Sequence, residues 1–215
     1  PWRAPVAEPH ASPASWKLAP ETPGSLDRLV RVPQPRRAPG PGEVEIAVEA
    51  TALNFKDVLN VLGMYPGEPG PLGGECAGRV AALGPGVSRL RVGERVMAVA
   101  GGSFASHVIA REELVQPLPE GVSAEEGAAF SIAWLTAEFC LGHLAGLRAG
   151  QQVLVHAAAG GVGMAALRLA QRAGAVVHAS AGSAWKRELL RAMGVEHVYD
   201  SRDASFAPQL LAATG

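Results

Sequence analysis

The chain has 215 residues, enough for one large domain or two small ones with a sizeable apolar core. Its 26 Gly and 17 Pro show no Gly-x-y period and accompany 48% hydrophobic residues, which excludes collagen-like fibres and disordered tails. The 19 Lys and Arg against 20 Asp and Glu leave a net charge of −1, which excludes binding to nucleic acid or an anionic membrane through bulk electrostatics.

Two cysteines, Cys76 and Cys140, cannot form a disulfide framework and suit a reducing compartment, with the cytoplasm as the default. No run of about 18 apolar residues is present to span a bilayer. The amino end has neither an initiator Met nor the apolar stretch of a signal peptide, so the chain reads as a piece of a longer polypeptide.

Residues 1–15, rich in Pro, Ala and Ser, read as a linker. From Trp16 to residue 122 the pattern predicts an irregular β-rich domain. Short strands are expected at Leu29–Val32, Val44–Ala50 with near-strict apolar/polar alternation, Gly78–Leu83, Arg95–Val99, Phe104–Ala110 and Leu114–Leu118, divided by Gly/Pro turns. At Ser123, with Glu126 as its capping-box partner, one long Ala/Leu-rich helix is expected to run to Leu147. The period then changes again: strand Gln152–His156, a glycine turn, helix Met164–Ala173, strand Ala175–Ser180, helix Ala184–Met193 and strand His197–Tyr199. Residues 123–215 therefore read as the βαβαβ half of a parallel α/β domain.

Ala158-x-Gly160-x-x-Gly163 matches the dinucleotide fingerprint with its first Gly replaced by Ala, after a strand and at a helix start. Gly160, Gly161 and Val162 bring the backbone to a diphosphate at the positive helix end, and Gly163 permits close helix–strand packing. An NAD site usually carries an acid about 20 residues on. No acid occurs between Met164 and Arg187. Ser180, Ser183 and Lys186 stand there instead, small hydroxyls and a cation suited to a 2′-phosphate, which favours NADPH.

Four segments carry a resemblance. Asn54-Phe55-Lys56-Asp57-Val58-Leu59, Gly63-Met64-Tyr65-Pro66-Gly67, Gly73 to Val80 and His156 to Ala166 resemble the enoyl reductase domain of modular polyketide synthases, kin of the fatty-acid synthase reductase. The wider family is the medium-chain dehydrogenase/reductases. The resemblance implies a GroES-like partial barrel followed by a Rossmann domain, here only its first half. It also implies reduction of an enoyl chain carried on the phosphopantetheine of an acyl carrier protein, beside other synthase domains such as a ketoreductase. Zinc-dependent relatives carry Cys where this chain has Asn54 and Gly-His-Glu where it has Gly73-Gly74-Glu75, so no catalytic zinc is expected; His107 and Cys76 keep the chemistry of metal ligands, but Cys76 and Cys140, each in an apolar run, read as small core residues.

Site roles follow from the same resemblance. A lysine matching Lys186 is proposed in the family to donate a proton together with a downstream aspartate, for which Asp203 is the nearest match; a charged lysine beside a phosphate suits a clamp better. Val58 falls where some relatives have a tyrosine linked to product configuration, so it supplies no acid. Asn54, with Lys56 and Asp57 beside it, is a further candidate for the reaction centre. Thr136 matches a position near the nicotinamide, Arg202 is a candidate for the adenosine phosphate, and Tyr65 for the substrate entrance. A stand-alone quinone or enone oxidoreductase and a non-catalytic synthase remnant are the competing readings.

Overall fold

A computed structural model of the chain describes residues 15–22 and 24–214, so the expected linker lies outside the described residues except for Ser15. The chain divides into two compact units, the first ending at Ser131 and the second beginning at Ile132.

In the first unit β1 (Trp16–Pro20) and β2 (Leu29–Pro33) form an antiparallel ribbon. Then come β3 (Glu43–Thr51), α1 (Phe55–Val61), β4 (Glu75–Leu83), β5 (Arg95–Val99), β6 (His107–Arg111) and β7 (Val115–Pro117). Their strands make a curled antiparallel sheet in the order β6-β3-β4-β5-β7, a GroES-like half-barrel. The alternation of β3 puts Val44 and Ile46 into a core with Cys76, Val80, Val96 and Val115. Glu45 is buried too, and it is there because Arg36 grips both its oxygens at 2.8 and 2.7 Å. β3 slips register between Val48 and Ala50. Gly78 faces that bulge, where a Cβ would collide with the Ala47 carbonyl oxygen. Strand β4 starts earlier than the sequence suggests, and β6 later. Residues 101–106 are instead occupied by a turn, in which Gly102 N donates to Gly73 O and Phe104 N to Leu72 O.

The long helix expected from Ser123 to Leu147 does not form. Ser123 caps as predicted, exchanging bonds of 3.2 and 2.9 Å with Glu126, but α2 (Ala124–Ala128) ends after five residues. It packs on β3, β4 and β5, with Gly127 pressed against Leu118 and Ala77 so closely that a Cβ would strike Leu118. α3 (Ser131–Glu138) and a π-helical turn (Phe139–Leu144) follow, and Ala137 and Leu141 pack into the second core. The first piece is held by the first unit and the other two by the second, and this tertiary packing outweighs the helix propensity of the continuous Ala/Leu sequence.

The second unit runs β8 (Gln152–Val155), α4 (Gly161–Arg172), β9 (Val176–Ala181), α5 (Ala184–Ala192), β10 (His197–Asp200) and α6 (Phe206–Thr214). Its strands are parallel in the order β10-β9-β8, the partial Rossmann half that the alternation of strand and helix implies. Leu167 of α4 and Leu190 of α5 are completely buried against Val155, Val177 and Ala179. Each contributes roughly 2 kcal/mol of apolar burial. α4 begins at Gly161 with Gly160 as its N-cap, three residues before the expected start.

Candidate active site

β8 delivers the chain into the turn His156–Gly160, whose shape rests on one unusual residue. Ala157 has φ +49°, the only positive value among the described non-glycine residues, and its carbonyl accepts Gly160 N at 2.8 Å. Ala158 is fully buried and donates its N–H to Ser180 O at 3.0 Å, so its methyl replaces the usual first glycine on the protein side of the turn. Gly163 is required by packing: a Cβ would strike Ala157 O and lie 2.7 Å from Ala158 Cα. Gly161 is different. A Cβ there would meet nothing within 4 Å, and one at Gly160 only Ala157 O at 3.2 Å. The open space at these glycines lies at the N-terminus of a 12-residue helix, where Gly161, Val162 and Gly163 present N–H groups without helical partners. Backbone donors, positive dipole and missing side chains together make a cradle for a diphosphate.

The end of β9 lies beside this turn. Ser180 is fully buried, and its Oγ lies 2.8 Å from His156 Nδ1. Two positions on, Arg202 Nε donates to Gly182 O at 2.8 Å, and the guanidinium lies so close that a Cβ on Gly182 would come within 2.8 Å of Nε. Ser183 caps α5. Its buried Oγ has no hydrogen-bond partner, the one such side-chain atom among the described residues. Lys186 is half-buried in the first turn of α5, its Nζ 5.5 Å from the Trp185 ring centre. Ser183, Lys186 and Arg202 are thus gathered at one helix start, and an orphaned hydroxyl with two cations fits a phosphate monoester. No ion pair joins Lys186 to Asp203. Asp203 is exposed, and hydrogen bonds from the Ser205 side chain and its N–H hold its carboxyl below the usual range. Thr136 is exposed on α3.

In the first unit Asn54 caps α1. Asp57 is buried, with Oδ2 accepting Asn54 N at 2.9 Å and Oδ1 accepting Gly73 N at 2.8 Å, so both oxygens are used in tying the helix to the Gly73 turn. It is an anchor, where the sequence left a choice between chemistry and a solvated helix end. Lys56 is exposed over the Tyr65 ring at 5.4 Å, and Val58 is half-buried. Asn54 Nδ2 donates to Glu75 Oε1 at 3.0 Å. Burial, aided by Glu75, pushes the Cys76 thiol up to about 12, and Gly74 offers no donor. Among the described residues no three His, Cys, Asp or Glu are gathered, and this donor set does not fit a catalytic zinc. A cleft of about 520 Å³ between β1, residues 34–37 and β6 is lined by none of the candidate residues.

Sequence reasoning passed over two groups. His156 was read as the last residue of its strand, and the Arg187–Asp200 ion pair, 2.9 Å long, had no sequence signal because it joins α5 to β10.

The paired architecture, half-barrel and then parallel dinucleotide-type unit, is that of an alcohol-dehydrogenase-like reductase. Residues 40–120 match the family profile "Alcohol dehydrogenase GroES-like domain" and residues 161–215 match "Zinc-binding dehydrogenase". The chain belongs to the medium-chain dehydrogenase/reductase superfamily, and it is similar to the enoyl reductase domains of polyketide synthases. It is 46% identical over 212 residues, 95% of its length, to pikromycin polyketide synthase component PikAII of Streptomyces venezuelae, and 50% identical over 199 residues, 89% of its length, to erythronolide synthase EryA2 of Saccharopolyspora erythraea. It spans only 6% and 5% of those proteins. Among solved structures, the CurK enoyl reductase superposes with TM-score 0.87 at 38% identity, and Escherichia coli quinone oxidoreductase complexed with NADPH with 0.84 at 30%. The matches cover 93% and 94% of this chain and 64% and 63% of those chains. Among the described residues no helix is long and apolar enough to cross a membrane.

Proposed function

We propose that this chain provides the cofactor-binding half and part of the substrate barrel of an NADPH-dependent enoyl reductase. Its substrate is an α,β-unsaturated thioester on an acyl carrier protein, in the cytoplasm, within a synthase carrying other domains. One observation carries the cofactor choice: the unpartnered Ser183 hydroxyl at the α5 start, flanked by Lys186 and Arg202, with no acid at the end of β9. NADPH, when bound, supplies the hydride that adds to the β-carbon of the enoyl group.

The residues of the chain bind and orient. N–H groups of residues 161–163 hold the diphosphate, while Ser183, Lys186 and Arg202 hold the 2′-phosphate. Thr136 borders the nicotinamide. A lysine serving a phosphate stays charged, so Lys186 acts as a clamp. Asn54, its amide oriented by Glu75, stands on the substrate side, and backbone N–H donors stabilise the enolate oxygen by on the order of 3 kcal/mol each. Val58 holds no proton to give to the α-carbon. The test uses the full-length protein with NADPH and a crotonyl thioester on pantetheine or on carrier protein, following nicotinamide absorbance. Turnover supports the reading; NADPH binding without turnover of either favours a remnant. The likeness to quinone oxidoreductase gives the third arm: turnover of quinones alone assigns the chain there.

A further inference from the structure

His156 ties the turn after β8 to two other elements of the second unit, β9 through Ser180 and α6 through Phe206. Its Nδ1 lies 2.8 Å from the fully buried Ser180 Oγ, and its ring packs edge-on against Phe206, with centroids 5.6 Å apart. The next residue but one, Ala158, gives its N–H to the carbonyl of the same Ser180 at 3.0 Å. Residues 156 and 158 are therefore tied to one residue of β9, and between them stands Ala157, held at φ +49°. A left-handed alanine persists only where its surroundings enforce it. The consequence reaches the cradle, because Ala157 O accepts Gly160 N and is the atom against which Gly163 packs.

Among the described residues His156 Nδ1 is the hydrogen-bond partner of the Ser180 hydroxyl; with the O–H as donor the buried hydroxyl is satisfied and the ring is the Nε2–H tautomer.

We propose that His156 is a positioning residue for the dinucleotide: through Ser180 it holds the Ala157 turn in the strained shape that aims the residue 161–163 N–H groups at the diphosphate. This rests on the functional reading above and goes beyond it, since it transfers Ser180 from the cofactor's contacts to the support of the turn. A bond that shapes only the diphosphate turn changes cofactor affinity and leaves the chemical step alone.

The test uses the full-length protein and NADPH, with Kd from fluorescence titration and kcat and KM from a carrier-bound enoyl thioester. His156→Ala is expected to raise Kd and KM for NADPH on the order of tenfold, with kcat at saturating NADPH within about twofold of wild type. His156→Asn, whose Oδ1 replaces Nδ1 as acceptor, restores Kd to within about threefold. Ser180→Ala removes the same bond with a smaller change and gives the same rise should His156→Ala unfold. The double variant His156→Ala/Ser180→Ala stays weak although it has no orphaned hydroxyl. The proposal is overturned by wild-type Kd in a folded His156→Ala or in Ser180→Ala, by His156→Asn no better than His156→Ala, or by recovery in the double variant. A wild-type protein that binds no NADPH overturns the functional reading with it; wild-type binding with any of the other results overturns this inference alone.

Discussion

Two glycines in one turn of helix give a test that separates folding from binding. At Gly163 a Cβ would sit 2.7 and 2.9 Å from Ala158 Cα and C, where ordinary contact begins at 3.4 Å. These atoms are backbone of the β8–α4 turn and cannot swing aside. Gly163→Ala must therefore push α4 off the turn by about half an ångström or more, at an overpacking cost of about 1–3 kcal/mol. The better helix propensity of Ala returns up to about 1 kcal/mol, so a net loss of roughly 1–2 kcal/mol is expected. At Gly161 nothing lies within 4 Å of the Cβ. Gly161→Ala should leave stability unchanged or raise it by about 0.5 kcal/mol through the unfolded chain. The methyl would occupy the cradle, however, and Kd for NADPH should rise at least about tenfold, roughly 1.4 kcal/mol. Urea unfolding of the apo protein measures the first pair of effects and fluorescence titration the second. A Gly161→Ala protein that binds NADPH normally would falsify the diphosphate assignment, and a Gly163→Ala protein as stable as wild type would refute the packing argument.

Four other outcomes follow from the same geometry. Lys186→Ala should raise KM for NADPH by about tenfold or more with kcat nearly unchanged, because one charge-assisted contact to the phosphate is lost; a selective fall in kcat would assign Lys186 to proton transfer. Asp57→Ala strips two backbone N–H groups of their buried acceptor and should cost about 3 kcal/mol or more in unfolding experiments. Glu43 is held at about 2, chiefly by its hydrogen bond from Arg37 and then by Gly40 N–H. A carboxyl depressed on folding stabilises above its unfolded value and loses that effect as pH falls toward 2, so Glu43→Gln should flatten the acid limb of the stability curve. His178 is buried between Tyr199 OH at 2.9 Å and Gln152 Oε1 at 2.8 Å, and burial, with His197 stacked on it, lowers its value below 6.5. Its contribution is complete above 6.5 and lost as pH falls, so unfolding midpoints should drop through that range less steeply in His178→Gln.

The sequence revealed those parts of the fold that local pattern determines. Alternation in Val44–Ala50 marked β3, and the strand–Gly–helix order marked β8, its turn and α4, because period and turn chemistry act within a few residues. Position in space was not legible. Ser123–Leu147 has the composition of one helix, yet Gly127 docks on Leu118 and Ala77 while Ala137 joins the other core, so partners distant in sequence cut it into three. By pattern Glu45 falls at a polar position of an alternating strand and Asp57 is either a site residue or a solvated helix end, yet each is buried by a group elsewhere in the chain: Gly73 N–H for Asp57, Arg36 for Glu45. The candidate site divides in the same way. Gly160, Gly161 and Gly163 were legible from spacing, whereas the Arg202 reach to Gly182 and the His156–Ser180 bond exist only once β9 lies between β8 and β10.

Hydrogen-bond accounting then sorts residues that the sequence treated alike. Ser180 and Ser183 are both hydroxyls at the end of β9, and both suit a ribose phosphate on paper. One is satisfied by His156; the other is buried with nothing to bond. An unpaired buried hydroxyl costs about 1–3 kcal/mol, an expense that packing alone gives no reason to keep at a helix N-cap, where a serine normally bonds the N2 or N3 amide. Partnership with a ligand oxygen removes the cost and adds a charge-assisted bond. The same accounting places Asp57 with the scaffold, both oxygens being taken by backbone N–H groups. It follows that Ser183→Ala should stabilise the apo protein by up to about 1–2 kcal/mol while weakening NADPH relative to NADH. If the substitution leaves that cofactor preference untouched, the orphaned hydroxyl is a packing defect and the 2′-phosphate is held elsewhere.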